Sequence, residues 1–92
     1  MIVRIMGEGQ FEVPGSLVER LNELDNAVLA ALDSADEADF RVSLAALLAA
    51  VRAGGKPVEH DVLLPSDATL PYAEATVDEV RELLHHDGLI PG

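Results

Sequence analysis

Two apolar runs at helical spacing, placed back to back, restrict this chain more than any other feature. Leu17, Leu21, Leu24, Val28 and Leu32 advance by three or four residues, and Phe40, Leu44, Leu47 and Val51 do so again after a short acidic break. Each run is one stripe of a helix, and two helices with so short a link fold back antiparallel. Leu48 lies beside the second stripe. Ala45, Ala46, Ala49 and Ala50 fill much of the rest of that helix, so a neighbouring helix can approach it closely.

The ends of both helices are marked. Ser16 with Glu19 predicts a capping box at the first start. Glu19, Arg20, Glu23 and Asp25 are assigned to that helix's outer surface. The second start has two candidate caps, Ser34 with Glu37 or Asp36 with Asp39. Gly54-Gly55 predicts its stop.

Ahead of the helices, "MIVRIMGEGQFEVP" alternates like a short hairpin whose inner face carries Val3, Ile5, Phe11 and Val13. Gly7 and Gly9 supply the positive φ that a tight corner needs, and Pro14 ends the second strand. A lone hairpin is marginal in water, so its apolar face must lie on the helices. After the helices, "KPVEHDVLLPSDATLPYAEA" (56–75) has three prolines and no sustained helical period. It predicts an extended strap, with Val62, Leu63 and Leu64 as a short strand beside the hairpin. "TVDE" then gives a capping box, Thr76 with Glu79. Val77, Val80, Leu83 and Leu84 follow as a short third helix closed by Gly88.

The predicted fold is α+β: an N-terminal β-hairpin, an antiparallel helix pair, a proline-containing extended strap and a short third helix. With 92 residues, this is a single domain over 1–92. Its core must be Leu, Val and Ala, because the chain has two Phe, one Tyr and no Trp.

The formal charge of -11 opposes binding to nucleic acid and to anionic lipid surfaces, and it suits a basic partner. The six basic residues, Arg4, Arg20, Arg41, Arg52, Lys56 and Arg81, form no row that would track a phosphate backbone. With no cysteine there is no disulfide or thiol chemistry. "MIVRIM" lacks the pattern of a signal peptide. The longest apolar stretch, "SLAALLAAV" at 43–51, is far short of the roughly 20 residues that span a bilayer. The expectation is a cytoplasmic protein without direct membrane insertion.

Candidate chemistry is sparse. A phosphate loop sets its glycines between a strand and a helix start, whereas Gly7 and Gly9 lead into a second strand and flank an acid, Glu8. His60 and Asp61 in the strap, with His85, His86 and Asp87 at the end of the third helix, offer zinc-ligating atom types. Adjacent helical histidines point about 100° apart, however, and imidazoles at a helix C-terminus are accounted for by its dipole. Metal binding is therefore a remote alternative. The acid pairs Glu19 with Glu23 and Asp78 with Glu82 read as solvated faces. Ser43, Ser66 and Thr69 belong to no nucleophile motif. The sequence predicts no catalytic residue, no cofactor and no enzyme.

Contact chemistry remains. Arg4, Glu8 and Phe11 are the candidate protein-contact residues, grouped around the hairpin, and an exposed hairpin edge offers a route to a homodimer. The stretches "MIVRIMGEGQFEVP", "LNELDNAV", "ALLAAVRAGG", "LLPSDATLP" and "DEVRELLHHDGLIPG" resemble the PspA-associated domain family, PspAA, over essentially the whole chain. "MIVRIMGEGQ" and "LLPSDATLP" are the most specific of these.

The resemblance implies a small trihelical accessory protein of the phage-shock, or envelope-stress, system, typically encoded beside a homologue of phage shock protein A. It implies no catalytic activity. The implied partner is a PspA-like coiled-coil protein that acts at membranes, whose assembly or recruitment this chain would tune. The implied site of action is the cytoplasm, at the inner face of the membrane through that partner. A self-associating adaptor for another stress-response protein is the alternative.

Overall fold

Alternation in the first fourteen residues produces the expected hairpin. In the computed structural model, which describes residues 1–34, 36–59 and 64–81, β1 (Ile2–Ile5) and β2 (Gly9–Glu12) pair antiparallel. Val3 lies opposite Phe11, and Val3, Ile5, Phe11 and Val13 are all buried. At the corner Gly7 and Gly9 adopt φ of 86° and 110°, a region that L side chains avoid.

The hairpin is the middle of a larger sheet. β3 (Lys56–Pro57) pairs antiparallel with β2, and β4 (Ala68–Leu70) pairs parallel with β1, in the order β3-β2-β1-β4. Pro57 is tolerated because β3 is an edge strand. The chain itself thus fills both outer edges of the hairpin. The hairpin edges expected to be open for a homodimer are occupied by the chain's own strands, β4 along Val3–Ile5 and β3 at Phe11 and Glu12.

The strap is also corrected in part, since it contributes two strands. Of the expected strand Val62-Leu63-Leu64, the first two residues lie outside the described residues, and Leu64 is exposed and outside any strand. The strand beside β1 comes later, where Ala68 and Leu70 alternate inward.

Helix α1 (Gly15–Ser34) begins ahead of Ser16, and the Leu17 amide donates to the Pro14 carbonyl at 3.0 Å. Ser16 therefore sits inside the first turn and does not cap it. Helix α2 (Glu37–Gly54) is capped by Asp36, whose Oδ1 accepts from the Asp39 amide at 3.1 Å. The alternative cap, Ser34, instead donates its hydroxyl to the Ala31 carbonyl.

The helices are antiparallel, as the short link requires. Leu17 near the start of α1 packs on Gly54 at the end of α2, where an added Cβ would lie 2.4 Å from Leu17 Cδ2. Gly55 ends α2 in an extended conformation, φ -93°, and its amide donates to the Val51 carbonyl. Its lack of a side chain is a matter of space, since a Cβ would meet that carbonyl oxygen at 2.6 Å.

The core joins the inner sheet face to one stripe of each helix: Leu21, Val28 and Leu32 from α1, and Phe40, Leu44, Leu47, Leu48 and Val51 from α2. Leu24 is only half-buried, and Asp25 takes its place on the inner stripe at 2% exposure. This corrects the assignment of Asp25 to the surface. The spacing 21-25-28-32 follows one helix face just as well as 21-24-28-32. Asp25 has polar or electrostatic partners of its own, and among the described residues no buried side-chain nitrogen or oxygen lacks a hydrogen-bond partner.

Of the third helix, α3 (Val77–Arg81) is described, with Val77 and Val80 buried. Thr76 Oγ1 accepts from the Glu79 amide at 3.3 Å, as the capping box predicts. Leu83, Leu84 and Gly88 lie outside the described residues.

Candidate protein-contact surface

Helix α2 has two apolar faces, and only one of them is used by the core. Opposite the buried stripe, Ala38, Val42, Ala45, Ala46, Ala49 and Ala53 are all exposed, Val42 by 71%. The positions 38, 42, 45, 49 and 53 advance by four, three, four and four residues, so they form a second seam down the same helix. At 1.5 Å per residue it is about 22 Å long. No charge falls between Val42 and Val51. An exposed helix normally turns a charged face to water, and a helix apolar all round is normally covered. The alanines that the sequence offered for close helix approach thus point away from α1, except Ala50, which is half-buried.

The C-terminal end of this seam meets the hairpin corner. Arg52, in the last turn of α2, donates from Nε to Glu8 Oε1 at 2.7 Å and from Nη2 to Glu8 Oε2. These hydrogen bonds hold the Glu8 carboxyl below the usual glutamate range, slightly opposed by desolvation and helped by the charge of Arg52. The same hydrogen bonds, with a weaker attraction from Glu74, raise the Arg52 guanidinium. Tyr72, 46% exposed, lays its ring against Gly7, where a Cβ would sit 2.8 Å from Cε1. Seam, ion pair and corner form one continuous surface.

The three residues expected to make contact do not converge. Glu8 is exposed at the corner. Arg4 is exposed on the outer sheet face, flanked in register by Gln10 and Thr69. Phe11 is 9% exposed and belongs to the core, which corrects its assignment to a surface patch. Strand alternation that turns Val3 inward turns its cross-strand partner Phe11 inward too.

Of the remaining candidates, His60, Asp61, His85, His86, Asp87 and Glu82 lie outside the described residues. Glu23 pairs with Arg20 at 3.2 Å on the surface of α1. Ser43 donates to the Asp39 carbonyl, and Ser66 accepts from Gln10. Among the described residues no helix is long and apolar enough to cross a membrane.

The family profile described as PspA-associated protein matches residues 1–92, the whole chain. The chain belongs to the PspA-associated protein family. The expected resemblance is thereby shown, and the family's name links the chain to PspA in an accessory role. No curated protein and no solved structure matches the chain. Among the described residues of this PspA-associated protein, the seam of α2 and the hairpin corner beside it are exposed.

Proposed function

We propose that this PspA-associated protein is a non-catalytic accessory that docks a helix of a PspA-like coiled-coil protein on the outer face of α2 and tunes its assembly or recruitment. One observation carries this reading: in a family tied by name to PspA, a core helix keeps a second, uncharged seam open to water along its whole length. Coiled-coil helices pack through side chains recurring every 3.5 residues, and small residues let two backbones approach closely. The seam matches a helical occupant in period and length. Glu8, held beside it by Arg52, extends the contact to the hairpin corner, and Arg4 offers a second contact on the outer sheet face.

Charge favours a basic partner. A body of formal charge -11 repels its own copy and attracts a helix rich in Lys and Arg. The protein acts in the cytoplasm, at the inner face of the membrane when its partner carries it there. Co-expression with a PspA-like protein from the same genome, followed by size-exclusion chromatography, tests the reading. Co-elution supports it, and independent elution at micromolar concentration contradicts it. Affinity should also weaken from low to high salt.

A further inference from the structure

We infer that Tyr72, pinned beside the hairpin corner, receives a lysine or arginine side chain of the helix that docks on α2, with Glu8 and Glu74 supplying the opposite charge. This contact rests on the docking proposed for α2 and adds a second point for the same partner. Both phenylalanines of the chain, Phe11 and Phe40, are buried, whereas its one tyrosine is 46% exposed. The ring is nevertheless held. Tyr72 lies between the buried Pro71 and Ala75, and its carbonyl accepts from the Ala75 amide at 3.0 Å. Its Cδ1–Cε1 edge rests on Gly7, so close that an added Cβ there would lie 2.8 Å from Cε1. Gly7 thus makes room for the ring as well as turning the chain.

Charge chooses the occupant. An aromatic face attracts a cation, and tyrosine presents a large contact area at low cost in side-chain ordering. Around Tyr72 stand two acids and one base: Glu8 next to Gly7, Glu74 two residues on, and Arg52. Arg52 is already engaged, since both carboxylate oxygens of Glu8 accept from it and Glu74 adds its attraction. The corner therefore keeps a negative balance beside an exposed ring, which suits an incoming ammonium or guanidinium and opposes a carboxylate. Arg52 belongs to the last turn of α2, so this point sits at the C-terminal end of the seam that carries Val42 and Ala49. A helix in the seam puts one basic side chain over Tyr72 at that end, which fixes its register.

Isothermal calorimetry of a PspA-like protein from the same genome with wild type, Tyr72→Leu, Tyr72→Phe, Glu74→Gln, Glu19→Gln and Val42→Gln tests this. Tyr72→Leu keeps apolar bulk but loses the ring, and should weaken Kd by roughly three- to thirty-fold, the worth of one cation–ring contact. Tyr72→Phe keeps the ring and should bind as wild type does. Glu74→Gln should weaken binding more than Glu19→Gln, which removes the same charge from an exposed site on α1; this pair serves if Tyr72→Leu fails to fold. Equal loss in Tyr72→Leu and Tyr72→Phe would overturn the ring contact, and equal affinity of the two glutamate variants would overturn the charge assignment. Wild-type affinity in Tyr72→Leu with weakened binding in Val42→Gln would strike the corner alone. No binding by the wild type would overturn the docking on α2 and this contact with it.

Discussion

Glu8 and Arg52, 44 residues apart in sequence, are joined by a two-point hydrogen-bonded ion pair that ties the hairpin corner to the last turn of α2. The pair is half-exposed, so its contribution is modest. Glu8→Gln should lower stability by about 0.5 kcal/mol at neutral pH, measured by urea denaturation. The pH dependence has a defined sign. A carboxyl depressed in the folded state stabilises fully above its unfolded value and loses that contribution as pH falls through its folded value. The gap between wild type and Glu8→Gln should therefore be full at pH 7 and close below the ordinary glutamate range. A gap unchanged at low pH would mean that the charge of Glu8 is not what binds Arg52.

Two glycines are required for different reasons, and alanine separates them. Gly55→Ala places a Cβ against the Val51 carbonyl at an ordinary φ, and should cost about 1–3 kcal/mol through the clash. Gly9→Ala meets open space but keeps φ at 110°, and should cost about 1–2 kcal/mol through backbone strain. Gly15→Ala, in open space without a positive φ, should be neutral or stabilise by about 0.4–1 kcal/mol. Thermal melts of the three variants give the ranking directly.

The two faces of α2 should respond oppositely to substitution. Leu44→Ala removes a fully buried side chain and should cost about 2–5 kcal/mol. Val42→Ala, two residues earlier on the exposed face, should change stability by no more than about 0.5 kcal/mol. A large loss at Val42 would mean that the outer seam is needed to hold the isolated fold together.

Elements specified by local pattern were legible in the sequence. The hairpin, both long helices and the glycine stop of α2 follow from alternation, helical period and end signals within a few residues of one another, whereas the cap of α2 was narrowed only to two candidates, Ser34 and Asp36. β3 and β4 were not. β3 is two residues long and contains Pro57, while β4 depends on pairing with a strand more than 60 residues away, Val3 standing opposite Ala68.

Side-chain direction was legible only where the chemistry was unambiguous. The charge of Asp25 points outward, yet its spacing from Leu21 and Val28 fits the inner stripe, where it is buried. Phe11 had two assignments, core and contact, and strand alternation decides for the core. The alanines of α2 were visible as a close-packing surface. Their spacing sets Ala45, Ala46 and Ala49 opposite the Phe40-Leu44-Leu47-Val51 stripe, so burying that stripe turns them away from α1; small size alone does not show which neighbour they face. Gln10, a polar residue in no recognised motif, gave no sign that its side chain bonds to Leu64 and Ser66, more than 50 residues later.

The docking face is best tested by titrating a purified PspA-like protein with wild type, Val42→Gln, Ala49→Gln and a control on α1, Ala30→Gln, in isothermal calorimetry. All three variants keep the net charge and place a neutral, helix-compatible side chain at an exposed position, so they change the shape of the surface alone. Val42→Gln and Ala49→Gln should each weaken Kd by at least about tenfold, a loss of roughly 1.4 kcal/mol, while Ala30→Gln binds as wild type does. Equal affinity for all four proteins would contradict the assignment of the outer face of α2 as the surface that meets PspA.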